Sequence, residues 1–465
     1  MRLVVVGAGG VGAAVARIAA RRPFLQAVVL ADLDAGRAAR AAEATRDPRF
    51  TATSVDASDP AAVQALVTAA RADAVLNATD PRFVLPVFTA CLRAGVTYLD
   101  MAMSLSRPHP DRPYELTGVK LGDEQFALAA DWEARGALAL VGMGVEPGLS
   151  DVFARYAADH LFSAVDSVDV RDGADLVVAG PDGRPVFAPT FSIWTTIEEC
   201  LNPPVGWERD RGWFAMAPFA EPEMFDFPEG IGPVECVHVE HEEVLLVPRW
   251  VDARRVTFKY GLGAEFVDVL QTLHRLGLDR TDPVDVRGTR VSPRDVVVAC
   301  LPDPATLGER MRGRTCAGTR VTGTGQDGHS REVYLYQVTD NEESMARDGS
   351  QAVVWQTAVN PVVALELIAD GTWGGAGVVG PEALDPVPFL DLLGEYGAPW
   401  RLQERSARPA APAAVSGAGP EGRPPAVDPS GAVAPARVGA TPHSGDDTAG
   451  DTTGDMTAGG EVRAR

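Results

Sequence analysis

MRLVVVGAGGVG, residues 1–12, sets an apolar strand directly before a glycine-rich turn. Gly7, Gly9 and Gly12 follow the G-x-G-x-x-G spacing, in which each glycine has its own task. The first makes the tight turn, the second lets a pyrophosphate approach the backbone, and the third lets helix pack closely on strand. The helix predicted from Gly10 to about Ala20 would turn its free N–H groups and positive dipole end toward those phosphates. The turn residues Gly7, Gly9, Gly10, Val11 and Gly12 are therefore read as cofactor-binding. A second strand, Ala27–Asp32, ends in a carboxylate. Asp32 there can accept hydrogen bonds from an adenosine ribose and repel a 2′-phosphate, so NAD is expected ahead of NADP. The other reading of Asp32 is a helix N-cap, a task open equally to Asp34.

The alternation continues. Strands are predicted at about 2–6, 27–32, 50–55, 73–77, 96–99 and 138–142, and helices at 11–21, 35–45, 59–71, 83–94 and 122–135. Each parallel crossover needs a helix, so this pattern specifies a Rossmann-type α/β domain over residues 1–160. After Gly142 the texture is mixed. Strand character appears at 165–179, 233–248 and 330–338, with a helical pattern at 263–276. Residues 161–349 are read as an inserted α+β domain for substrate and dimerisation. A helix near 350–370 returns to the first domain, and 371–403 packs on the core. From Glu404 to Arg465 the composition is Ala, Pro, Gly, Ser, Thr and Asp, which predicts a disordered tail.

Loops at the carboxyl ends of the first-domain strands should line the cofactor crevice. Asp56 is placed near adenine, with Asn77 and Thr79 beside the nicotinamide; capping is the other reading of Asp56 and Asp80. Residues 104–121 are polar and proline-rich and are read as a lid-like loop, with His109 a candidate proton shuttle.

A net charge of −22 in 465 residues argues against nucleic acid or anionic membrane as partner. No apolar run long enough to span a bilayer is read in the chain. The five cysteines lack a C-x-x-C pair and the histidines lack ligand spacing, so a reduced, cytoplasmic protein without a metal is expected. A homodimer and a small-molecule substrate complete these expectations.

The VVVGAGGVG turn, Tyr98-Leu99-Asp100, Gly142–Asp151 with its Pro147-Gly148 turn, and Phe191–Trp194 all resemble the saccharopine dehydrogenase-like family. So do Glu198, Glu199, Asn202-Pro203, Phe258–Gly261 and Gly377–Glu382. The likeness spans residues 1 to about 400. It implies hydride exchange between nicotinamide and a carbon bearing nitrogen, by way of an imine, and a place in lysine or amino-acid metabolism. Such chemistry needs a base or acid in the cleft, for which Asp100, His109, Glu146, Asp151, His241 and Lys259 are candidates. Asp100 is the first choice for holding the substrate amine; loop bracing is its other reading. Arg171 and Lys259 are chosen for a substrate carboxylate, Tyr260 as a hydrogen-bond donor and Trp194 as a pocket wall. Pro147 and Gly148 are taken to let backbone approach the nicotinamide. The alternatives are a reductase of another class on the same scaffold, such as an enoyl reductase, or a dinucleotide-binding protein without turnover.

Overall fold

In the computed structural model, which describes residues 1–405, the first strands form where the sequence alternates. β1 (Arg2–Val6), β2 (Ala27–Asp32), β3 (Phe50–Ser54), β4 (Ala74–Asn77), β5 (Thr97–Asp100) and β6 (Leu138–Leu140) share one sheet in the order β6-β5-β4-β1-β2-β3. Every pairing between them is parallel. β1 and β4 are buried along nearly their whole length, as a sheet covered on both faces requires. The crossover helices α1 (Gly10–Ala19), α2 (Ala35–Thr45), α3 (Pro60–Ala70) and α4 (Val84–Ala94) start and stop by local chemistry. Asp34 accepts from Gly36 N–H and Arg37 N–H to cap α2, and Asp59 caps α3 ahead of Pro60. The cap of α2 is therefore Asp34 and not Asp32.

Two features differ from the expectations for the C-terminal part. Residues Gly377–Val379 pair in parallel with β6 as a seventh strand of this sheet. Trp400–Arg405 joins the second sheet, so Glu404 and Arg405 are ordered strand residues rather than tail. The rest of the predicted tail lies outside the described residues.

The second sheet runs Gly212–Ala215, Val205–Glu208, Ala253–Gly261, Phe162–Ala174, Arg314–Gly325, Ser330–Asp340 and Trp400–Arg405. The strand at Ser330–Asp340 alternates as read: Val333 and Leu335 enter the main core, whereas Tyr334 and Tyr336 join a smaller cluster with Phe225 and Phe227. The span 233–248 is not one strand. Gly232–Cys236 is a strand, but Val244, Leu245 and Leu246 lie in a helix, Glu243–Trp250. A short apolar run has no period that distinguishes the two.

The return helix, Ala352–Ala369, lies against α1; Arg17 and Arg22 of α1 and its C-terminal turn reach Asp348 O and the Glu366 carboxylate. By length and composition this helix could cross a membrane, but 78% of it is buried inside the protein. It serves as a core element.

Candidate active site: an acid-lined cleft against the glycine turn

The sheet order reverses between β1 and β4, and a cleft of about 270 Å³ opens at the carboxyl ends of those strands. On one side stand Gly9, Gly10 and Val11 from the turn, Asn77 and Thr79 after β4, and Pro147 after β6. The other side comes from the second sheet and its helices, Glu199, His241, Glu242 and Tyr260, and Thr357 of the return helix also lines the space.

Each glycine of the turn is constrained differently. Gly7 has φ +98°, and a Cβ there would lie 2.5 Å from Ala78 O. A Cβ on Gly12 would lie 2.0 Å from Gly7 O, so helix and turn could not close. At Gly9 a Cβ would meet no protein atom within 4 Å. Gly9 also caps α1 with no side-chain hydrogen bond, leaving the helix N–H groups unclaimed by a cap. Open space before unclaimed amides fits a diphosphate. Asp32 Oδ2 accepts from Ala8 N–H at 2.9 Å and Oδ1 from Asp34 N–H at 2.9 Å, tying the end of β2 to the turn. Asn77 Oδ1 accepts from Thr79 N–H and Oγ1, which sets both residues at the cleft wall.

The cleft as a whole is acidic. Asp80, Asp100, Glu146, Glu199, Glu242 and Asp303 line the cleft. Among the described residues its one cationic side chain is His241, without lysine or arginine. His241 stacks flat on Phe258, centroids 3.8 Å apart, and its Nδ1 lies 2.5 Å from Glu243 Oε2. Burial by itself would favour the neutral ring, but Glu243, Glu242 and Glu199 push His241 up to about 10. With Nδ1 committed to Glu243, Nε2 is the nitrogen left to act in the cleft. Glu146 and Asp172 face one another closely enough to share a hydrogen bond, and burial raises both, so one holds a proton. Tyr260 is the register partner of Asp172, so the two side chains leave the sheet on the same face. Burial lifts Glu199 to about 8.

Several sequence-based assignments are corrected. Asp100 is 1% exposed, and its oxygens accept from Gly142 N–H, Gln125 Nε2 and the Tyr98 hydroxyl at 2.7–2.9 Å. It braces the ends of β5 and β6, so its role is the bracing one. Burial raises it to about 7. His109 sits on the surface loop, where its Nδ1 accepts from Asp111 and Arg112 N–H, away from the cleft. Arg171 and Lys259 are register partners on the sheet face opposite Tyr260. There they are buried against Glu223, at 2.5 and 3.1 Å, so neither can meet a cleft carboxylate. Trp194 lies between the Arg82 and Arg294 guanidiniums, 4.2 and 4.7 Å from its ring, and walls a side cavity instead of the main cleft. Pro147 lines the cleft and Gly148 does not; at Gly148 a Cβ would stand 2.2 Å from Gly144 O, which by itself requires glycine. Asp56 is exposed and accepts from Ser58, outside the cleft.

Glu242, Glu243 and Asp172 were missed, though a signal existed. Glu240-His241-Glu242-Glu243 interrupts an otherwise apolar run, and charges there must be buried and paired.

Residues 3–140 match the model for the saccharopine dehydrogenase NADP binding domain, and residues 144–398 that for the saccharopine dehydrogenase C-terminal domain. The chain belongs to the saccharopine dehydrogenase family. It is an NAD(P)-dependent oxidoreductase acting on a CH–NH bond. Carboxynorspermidine synthase of Vibrio alginolyticus is 31% identical over 416 residues, covering 87% of this chain and 97% of that one. Carboxyaminopropylagmatine dehydrogenase of Synechocystis sp. is 30% identical over 400 residues, covering 86% and 96%. Among solved structures, apo saccharopine dehydrogenase (L-Glu forming) of Saccharomyces cerevisiae has TM-score 0.62 at 14% identity, covering 87% of this chain and all of that one. The names of both relatives point toward polyamine synthesis, in place of the lysine metabolism expected from the family.

The buried acids make a prediction about stability for this family member. Asp100 and Glu382, raised to about 7, and Glu199 and Glu240, raised to about 8, keep protons that the unfolded chain releases near pH 4. Their stabilising effect is therefore lost as pH rises from about 4 to about 8. His241 acts in the same sense: its contribution is complete below about 6.5 and is lost as pH rises through about 10. Calorimetric Tm should fall by at least about 5 °C between about pH 5.5 and about pH 8.5. A flat or rising profile would contradict these protonation states.

Proposed function

We propose that the protein reduces the imine formed between an aldehyde and a di- or polyamine, yielding a secondary amine that carries further positive charge. The observation that carries this reading is the cleft lining itself, which holds six acidic residues, among them Glu199 and Glu242, and one histidine but no lysine or arginine. Such a wall selects cations. A fatty enoyl chain has no charge to match it.

The turn amides hold the diphosphate, and Asp32 meets the ribose. The nicotinamide, when bound, supplies the hydride. Glu199 and Glu242 hold the ammonium groups, whose positive charge lowers Glu199 from about 8 and favours its ionised form. His241 gives the Nε2 proton to the imine nitrogen as the C–N bond is reduced, while Glu243 holds the ring and stabilises its charge. The Glu146–Asp172 pair, with one shared proton and the Tyr260 hydroxyl, keeps this wall polar without adding two full charges.

Steady-state NAD(P)H oxidation with amino-acid aldehydes mixed with diamines is the test. Turnover that requires both components supports the reading; oxidation by enoyl substrates alone would replace it. NAD is proposed ahead of NADP because Asp32, at the end of β2 and bonded to the turn through Ala8 N–H, sets a carboxylate where this fold places the adenosine ribose. Asp32→Ala should lower the NAD/NADP preference in kcat/KM by at least about tenfold, about 1.4 kcal/mol. Unchanged preference would remove this assignment.

A further inference from the structure

A second, narrow cavity adjoins the cleft and shares Pro81, Thr195, Glu199 and Glu242 with it as walls. Leu105 and Leu121, the first and last parts of the proline-rich loop, and Trp194 make its apolar walls. Its volume is about 10 Å³, room for one water-sized group.

The four glutamates around this slot are not equivalent. Glu198 is neutralised by Arg294, whose guanidinium also lies over Trp194. Glu240 accepts from Ser106 Oγ at 2.8 Å and Asn202 Nδ2 at 3.1 Å. Glu242 is 3% exposed; its Oε1 accepts from Met103 N–H, but its Oε2 takes no hydrogen bond among the described residues and lies 3.5 Å from His241 Nδ1, whose proton is given to Glu243. Nor does the Glu199 carboxyl take a hydrogen bond there. A buried carboxylate oxygen that takes no hydrogen bond, beside a second unbonded carboxyl, has the capacity to accept a donor. Water donates two protons and leaves its own lone pairs among acceptors. An ammonium is of similar size, donates three and has no lone pair. A guanidinium is a wide planar fork.

We propose that this slot is a terminal-ammonium subsite, so that the substrate amine ends in an unsubstituted primary ammonium and guanidinium-ended amines are rejected. This rests on the amine-reductase reading and specifies its substrate class. Leu105 at the slot wall sets the size limit, and Glu199 and Glu242 set the charge.

Two measurements on the full chain test it. In reductive turnover, 1,4-diaminobutane should exceed agmatine in kcat/KM by at least about tenfold, because the reacting amine forces agmatine's guanidinium into the slot. Leu105→Gly should narrow that ratio at least about fivefold by widening the slot. A ratio near one, or a ratio that Leu105→Gly leaves alone, would overturn the proposal. If no amine turns over, the amine-reductase reading fails and calorimetry still decides the slot. Titrated into the protein saturated with NAD(P)H, butylammonium should bind and butylguanidinium should not, with butylguanidinium binding appearing in Leu105→Gly. Equal binding of the two cations to the native chain, no binding of either, or no gain of butylguanidinium binding in the variant would refute the subsite.

Discussion

His241→Gln should lower kcat for imine reduction by about 10²–10⁴-fold while leaving NAD(P)H affinity within about twofold, as loss of a positioned general acid does. The ring lies flat on Phe258 and is tethered through Nδ1 to Glu243, so only Nε2 remains to pass a proton. Glutamine keeps polarity and approximate length but cannot release a proton near neutral pH. Stopped-flow and steady-state rates with a preformed imine separate the chemical step from condensation. A companion variant, Glu243→Gln, should act indirectly. It removes the largest opposing charge that holds the ring protonated, so the alkaline limb of the pH–rate profile should move to lower pH, with the low-pH rate largely retained. A His241→Gln enzyme with kcat near that of the native chain would take the proton donor out of this cleft.

Gly9→Ala should abolish most cofactor binding without destabilising the fold. Its backbone, φ −69° and ψ −161°, suits any residue, and the added methyl meets no protein atom within 4 Å. The methyl would stand where the diphosphate must approach the α1 amides. An affinity loss of at least about 100-fold, about 2.7 kcal/mol, is expected by nicotinamide fluorescence titration, with Tm of the cofactor-free protein within about 2 °C of native. Gly12→Ala is the contrast, since its methyl would collide with Gly7 O and disturb the fold as well. Tight cofactor binding by Gly9→Ala would mean that the diphosphate lies elsewhere.

The legible and illegible parts of this molecule divide along physical lines. The glycine turn and the strand–helix alternation are local patterns, and β1 to β6 follow them within a residue or two. The three-residue strand Gly377–Val379 carries no period of its own and forms because β6 offers a free edge. Arg171 and Lys259 show the limit of strand reading. Alternation puts them on one face together, but which face meets the cleft depends on the hairpin Glu223–Phe227 and Gly232–Cys236 that covers them. One residue further on, Asp172 and Tyr260 hold the cleft side. Asp100 was visible as a strand-end carboxylate, but its three donors come from Tyr98, Gln125 and Gly142, which no spacing rule brings together. The acidic wall is assembled the same way, from Glu146 after β6, Glu199 on the helix Ile193–Leu201 and Glu242 before the helix Glu243–Trp250.

Hydride transfer to the carbon of a C=N bond can be followed atom by atom. Reduced cofactor carrying deuterium at the transferable position of the nicotinamide is incubated with the protein, an amino-acid aldehyde and a diamine, and the product is analysed by tandem mass spectrometry. One deuterium on the carbon next to the new secondary nitrogen is the predicted result. Product without deuterium, or label on a carbon remote from nitrogen, would contradict the assignment of this cleft.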